Sequence, residues 1–177
     1  MYRYYSMPYA SPTIGLYLFS ADYIKFIYNL EHYLGIDPVF ITYQESKYRD
    51  VLVQRGGANV KCPIGVFDDI EIIFLHYQTE EEVLQKWNRR KKRIVWDNLF
   101  FKMSEQNLCN QSLLKAFDEF PIKNKVVFTS KNYGLDSQIV LSEFSEDSEV
   151  INDTNNFRRY INLTRWLNKK NNYKKRQ

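Results

Sequence analysis

The alternation of apolar and polar positions along the chain predicts strands separated by helices. Thr13 to Phe19 (TIGLYLF) is rich in β-branched and aromatic side chains and reads as a strand. Ser20 is placed to cap a helix reaching about Leu34, because Tyr23, Ile27, Leu30 and Leu34 recur at helical spacing before Gly35 stops it. Pro38 to Tyr43 (PVFITY) reads as the next strand and completes a strand–helix–strand unit. Gly56-Gly57 marks a turn, either between two short strands or at a hairpin, and Cys62-Pro63-Ile64-Gly65 reads as loop. Ile70 to Tyr77 (IEIIFLHY) is nearly continuously apolar, which suits a strand covered on both faces.

Thr79 to about Arg93 is the best helix in the sequence. Thr79 and Glu82 have the spacing of a capping box, so their side chains can satisfy backbone donors left over at the helix start. Glu80, Glu81 and Glu82 sit at the positive end of the helix dipole and Arg89 to Arg93 at its negative end. Ile94 to Met103 is mostly apolar and extended, and a short helix is expected around Ser112 to Phe120. Lys125 to Thr129 (KVVFT) and Gln138 to Phe144 (QIVLSEF) are further strands. Asp153 or Thr154 caps a final helix whose inner side carries Phe157, Tyr160, Ile161, Thr164 and Leu167. The expected fold class is α/β: a single domain over residues 1–168 with a mixed, mostly parallel β-sheet flanked by α-helices. Residues 169–177 read as a basic disordered tail.

Composition narrows the function classes. With 14 Tyr and 12 Phe the chain can line a sugar or nucleotide pocket, although a Tyr-rich core gives the same composition. The two cysteines, Cys62 and Cys109, are too few and too far apart for a disulfide framework or a zinc site, and both are read as reduced. No signal-peptide pattern opens the chain, and no apolar run approaches the ~20 residues of a membrane-spanning helix. A cytoplasmic protein is expected, with peripheral contact to the inner face of a membrane left open. The formal net charge is only +4, but seven Lys/Arg lie between Lys86 and Lys102 and eight more between Arg158 and Arg176. That clustering predicts discrete positive patches.

Helical phasing divides the basic run. At about 100° per residue, Val83, Trp87 and Ile94 share one stripe. Arg90 falls close to that stripe, whereas Arg89, Lys92 and Arg93 point away from it. A buried guanidinium needs a partner. Asp97 is one candidate, and the phosphate or carboxylate of a ligand is another, because the planar fork of Arg grips either bidentately. Two readings follow, a helix end with a structural ion pair or an anion site. His76 closes the strongest strand just before the capped helix, where it is either an acid/base or a satisfied edge histidine. Ser11, in Ala10-Ser11-Pro12-Thr13, either binds a sugar or phosphate or simply makes a turn. No metal site is expected from two distant histidines and the Asp68-Asp69 pair, and no cofactor, because Walker A and dinucleotide-loop patterns are absent. No nucleophile elbow occurs, and no nucleic-acid-binding module accompanies the basic stretches, so specific nucleic-acid binding is not expected. Oligomeric state is open.

Several segments together resemble a bacterial family known only as number 1919 among the domains of unknown function. The matching residues include Tyr9 to Leu16, Asp22 to Phe26, Tyr48, Pro63 to Gly65, Asp69 to Ile72 and Phe74 to Tyr77. The strongest match is Trp87-Asn88-Arg89-Arg90 with Arg93-Ile94 and Trp96 to Phe100, and Lys125 to Thr129 also fits. Members of this family are commonly labelled exopolysaccharide biosynthesis proteins. The resemblance implies a role in surface-polysaccharide or capsule synthesis, with a transferase acting on a sugar or nucleotide-sugar as the natural activity. It also implies that this chain begins after the family's extreme N-terminal segment. In that reading Arg90, with Arg89 or Arg93, holds the anionic group and His76 is the acid/base. Trp87 or Trp96 walls the sugar, while Asp97 and Asn98 orient the arginine or bond the ligand. The alternative is a non-enzymatic binding or scaffold domain whose basic surfaces meet a membrane or a partner.

Overall fold

In a computed structural model that describes residues 9–55, 61–147, 149–151, 153 and 157–168, the apolar stretch on either side of Asp68-Asp69 folds into a tight hairpin. Asp68 adopts φ 57°, a left-handed conformation that Asp tolerates better than branched residues do. The chain divides into two compact units, Met1–Trp96 and Asp97–Gln177.

The first unit contains helices α1 (Ser20–Tyr28), α2 (Leu30–Gly35) and α3 (Arg49–Gln54), strands β1 (Val39–Ile41), β2 (Ile64–Phe67) and β3 (Ile70–Ile73), and helix α4 (Glu80–Lys91). Its sheet runs β1-β2-β3 and is antiparallel throughout. The expected mostly parallel sheet is therefore corrected here, for reasons visible along the chain. Residues 12–15 form a turn, and Thr13 to Phe19 contributes only a single antiparallel bridge, Tyr17 to Ile73. The expected first helix breaks at Asn29 (φ −124°, ψ 42°). The expected loop at Cys62–Gly65 instead supplies the start of β2, which pairs on both sides. Gly65 is needed there, because a Cβ would come within 2.9 Å of the Cβ of Pro38, the residue just before β1. The turn expected at Gly56-Gly57 lies outside the described residues, and the segment before it is α3, not a strand.

All four residues of β3 are buried, as a strand covered on both faces requires. Phe67 and Phe74 meet Trp87 of α4 at ring-centroid distances of 5.0 and 6.1 Å. The α4 start follows the capping pattern: Thr79 Oγ1 accepts from the Glu82 N–H at 3.2 Å, and Glu82 Oε2 accepts from the Gln78 N–H at 2.9 Å. One member of β3 is polar. Glu71 is 5% exposed and accepts from Ser46 Oγ (2.5 Å) and the Lys47 N–H (2.9 Å). Beside it Asp22 accepts from the Glu71 N–H and from Lys47 Nζ, each at 2.8 Å.

The second unit contains strands β4 (Phe101–Ser104), β5 (Lys125–Thr129) and β6 (Gln138–Val140) with helix α5 (Gln111–Glu119) between the first two, and ends in helix α6 (Leu163–Asn168). This sheet, ordered β4-β5-β6, is wholly parallel. Asn110 caps α5 by accepting from the Leu113 N–H at 3.0 Å, and the helix buries Leu114 and Phe117. Val126, Phe128, Leu141 and Val150 form a buried cluster against which Ile139, Phe144, Tyr160, Ile161 and Trp166 pack. Asp153 accepts from Ser104 Oγ (2.6 Å) and from Lys102 Nζ, and the backbone it was expected to cap, residues 154–156, lies outside the described residues. Thr154 lies outside the described residues, and Thr164, expected inside, is exposed. Among the described residues no helix is long and apolar enough to cross a membrane.

Two substitutions separate local from tertiary contributions to the first unit. Thr79→Ala removes a helix cap and is expected to cost about 1 kcal/mol. Asp22→Ala leaves the Glu71 N–H without its acceptor and Lys47 Nζ without its carboxylate partner, and is expected to cost about 3 kcal/mol. Urea denaturation of each variant measures both.

Candidate functional site

Helix α4 presents Val83, Trp87 and Arg90 to the interior, as the phasing predicted. Arg90 is 5% exposed. Its Nη1 donates to the Ile14 carbonyl at 3.0 Å and to the Tyr77 hydroxyl, which itself donates to the Ile14 carbonyl at 2.9 Å. The guanidinium carbon lies 5.4 Å from the Tyr9 ring centroid and 5.8 Å from that of Tyr77, within cation–π range. One helical turn on, the exposed Arg93 donates from Nη1 to the Tyr9 carbonyl at 2.8 Å. The two arginines thus hold both ends of the segment Tyr9 to Ile14.

The same segment meets His76. The His76 N–H donates to the Gly15 carbonyl at 3.2 Å. Gly15 has φ +75°, and a Cβ there would come within 3.3 Å of the His76 Cβ and Cδ2, so both backbone and space call for glycine. Ser11 Oγ sits 2.7 Å from Thr13 Oγ1 and accepts from the Thr13 N–H at 3.2 Å, which closes the turn around Pro12. The structure therefore gathers Ser11, His76, Arg90 and Arg93 about one short loop.

The remaining expected residues do not join them. Trp87 is 1% exposed inside the aromatic core and cannot wall a ligand. Arg89 faces solvent, as phasing predicted. Trp96 (48% exposed), Asp97 and Asn98 form an exposed 3-10 turn. Asp97, one of the two candidate partners of Arg90, belongs to the second unit; within the first unit the guanidinium meets two neutral oxygens and two ring faces. No carboxylate among the described residues pairs with it. Its Nε is buried without a partner, and Nη2 makes no hydrogen bond with a described residue. The His76 side chain is exposed, and its ring nitrogens take no partner among the described residues. Sequence reasoning missed Tyr9 and Tyr77, which lie in segments carrying the family resemblance but have no catalytic residue type to mark them.

It also missed the polar network behind β3, where sequence-distant groups converge. Lys47 Nζ bridges Asp22 and the Asp69 carbonyl (2.7 Å), and Asp69 in turn accepts from Lys25 Nζ and the Tyr33 hydroxyl, each at 2.6 Å. Those two donors hold the Asp69 carboxyl down to about 2. Burial, helped by the neighbouring carboxylates, raises the Tyr33 and Tyr48 hydroxyls. Every oxygen of Asp22 and Glu71 is occupied, so this network stiffens the fold and leaves no free base.

Two clefts stand apart from these groups. One, of about 490 Å³ in the first unit, lies between Ile41–Gln44, Lys61–Pro63 and the start of α4. Glu80 and Glu81 line it beside Lys61 and the N-terminus of α4, so charges of both signs meet there. The other, of about 520 Å³, belongs to the second unit. Neither is lined by a residue that the sequence named as a catalytic or substrate-binding candidate. Among the described residues no three His, Cys, Asp or Glu side chains group closely enough to hold a metal ion.

A mixed α/β protein with an arginine-clamped loop is the class that these features define. A family described as "Domain of unknown function (DUF1919)" matches residues 1–173, and the chain belongs to it. It is similar to an uncharacterized protein of Haemophilus influenzae, with 32% identity over 144 residues, which cover 81% of this chain and 63% of that protein. The chain thus spans less than two thirds of that relative's length. Neither description names a reaction.

The Asp69 contacts predict a pH dependence. Its carboxyl lies below the ordinary value of 3.8 in the folded protein, so its stabilising contribution is present above about pH 4 and is lost as pH falls toward about 2. Urea stability measured across that interval should fall less steeply in Asp69→Asn than in the unaltered protein. The difference is small because Asp69 is half exposed.

Proposed function

We propose that this protein serves bacterial exopolysaccharide or capsule biosynthesis as a transferase, taking a sugar or nucleotide-sugar whose anionic group is held at the loop of residues 9–15. The observation that carries this reading is the uncompensated charge of Arg90. A guanidinium taken out of water is costly unless an anion or a full set of acceptors meets it. Among the described residues two neutral oxygens and two aromatic faces serve a full positive charge, and Nη2 makes no hydrogen bond. A phosphate or carboxylate supplies the missing charge, and the arginine fork suits its geometry. Arg93 adds a second cation at the same loop, and the Ser11 and Thr13 hydroxyls add hydrogen-bonding groups. His76, exposed beside Gly15 with its ring nitrogens unoccupied by described residues, is the acid/base of this reading. Of the two tryptophans, Trp96 is the one whose face a sugar can reach.

Calorimetry with UDP-glucose, UDP and inorganic phosphate tests the proposal. Saturable binding of UDP-glucose is expected, weakened about tenfold or more in Arg93→Ala at unchanged circular dichroism, as befits the loss of a charge-assisted contact. His76→Ala should bind normally yet fail to restore polymer in a cell lacking the gene. Salt-sensitive binding to anionic vesicles with no affinity for UDP-glucose would sink the transferase reading in favour of the scaffold alternative.

A further inference from the structure

The cleft of the second unit lies along β6, the edge strand of the parallel sheet, and under α6. Its chemistry is set by which lining groups the fold has already committed. Lys125 Nζ donates to the Asp118 and Phe120 carbonyls, and the Ser137 hydroxyl donates to Asp118 at 2.6 Å. The Gln138 amide nitrogen spans Thr129 Oγ1 and the Lys131 carbonyl, and the Tyr160 hydroxyl donates to Glu143. These groups build the wall.

Four others are uncommitted among the described residues: the Asp136 carboxylate, the Arg165 guanidinium, the Asn162 amide nitrogen and the Trp166 indole N–H. Trp166 is half-buried and fixed in place. It packs edge-on against Phe100 (5.0 Å, 70°) and against the Val126, Phe128, Leu141 and Val150 cluster. Its orientation is therefore settled before any ligand arrives, so little side-chain entropy is lost on binding. Ile139 and Ile161 complete an apolar strip beside it.

A ligand matching this lining has an apolar face for the indole and Ile strip and, around its rim, hydroxyls that both donate and accept. The carboxylate can accept from such hydroxyls, while the guanidinium, amide and indole N–H groups can donate to them. A pyranose ring has that arrangement, with axial C–H groups on one face and hydroxyls at the perimeter. A free phosphate or polyphosphate is a poorer match, because Asp136 places a negative charge in the cleft. A purely apolar ligand would leave four polar groups unpaired. The volume of about 520 Å³ falls within the range of small-ligand sites. We infer that this cleft binds a pyranose unit of a glycan, at a site separate from the Arg90 loop and independent of the transferase reading.

The full-length chain can be probed with N-acetylglucosamine, glucose and galacturonic acid and with short oligomers of each. Saturation-transfer NMR and quenching of tryptophan fluorescence are the readouts. At least one oligomer should bind with an affinity of about 1 mM or tighter. Asp136→Asn and Arg165→Gln alter exposed side chains that make no hydrogen bond or ion pair with a described residue, and each should weaken that binding about tenfold. Trp166→Phe should keep the fold and remove most of the fluorescence response. Absence of binding across the panel, or binding that none of the three substitutions weakens, overturns the inference. UDP-glucose titrated into Asp136→Asn separates the two sites. Retained nucleotide-sugar binding with lost glycan binding supports both readings; glycan binding without any nucleotide-sugar affinity leaves this one standing alone.

Discussion

Arg90 brings a guanidinium to 5% exposure, and the loop from Tyr9 to Ile14 and the Tyr77 side chain gather around it. Its fork faces the Ile14 carbonyl and the Tyr77 hydroxyl, and the rings of Tyr9 and Tyr77 supply their negative faces. None of these groups is charged. The segment Tyr9 to Gly15 is consequently tied down by side chains and by the His76 backbone, not by sheet pairing, and its only ladder contact comes two residues later at Tyr17. A loop held this way has a fixed shape and an electropositive floor. That combination serves binding more naturally than it serves stability, because an apolar residue at position 90 would pack without a desolvation cost.

The Asp22–Lys47–Glu71 network makes the opposite case. It too carries charge into the interior, but each carboxylate oxygen meets a donor, and the lysine bridges two acceptors. Charges compensated to that degree fix the register of β3 against α1 and the segment around Ser46, and they have no capacity left for chemistry. Comparison of the two clusters separates a structural polar core from a candidate site within one small unit. The criterion is whether the buried charge is already answered.

The second unit shows the same logic at its surface. Its parallel strands and α5 leave β6 as an edge, and the chain returns at Tyr160 to Trp166 to pack over the same core. The cleft that results is lined partly by groups spent on the fold and partly by groups that take no partner among the described residues. Trp166 belongs to both sets, since one side of the ring is packed and its N–H is uncommitted among the described residues.

Local features of this protein were legible in its residues. The Thr79 cap, the full burial of β3, the limits of β5 and the inward turn of Arg90 all follow from period and from neighbours within one or two helical turns. Sheet direction was not legible, because it depends on which strand meets which. Thr13 to Phe19 has strand composition yet makes one bridge, while Ile64-Gly65, read as loop, pairs on both sides. Sequence could state that a buried Arg90 needs partners, but a hydrogen-bond acceptor arrives from 76 residues away and the Tyr9 ring from farther still. Nor could it choose between Trp87, which the aromatic core consumes, and Trp96, which it leaves exposed. Periodicity and capping are short-range and therefore written in the chain. Pairing, compensation of charge and the opening of a cleft are settled only when distant segments compete for the same space.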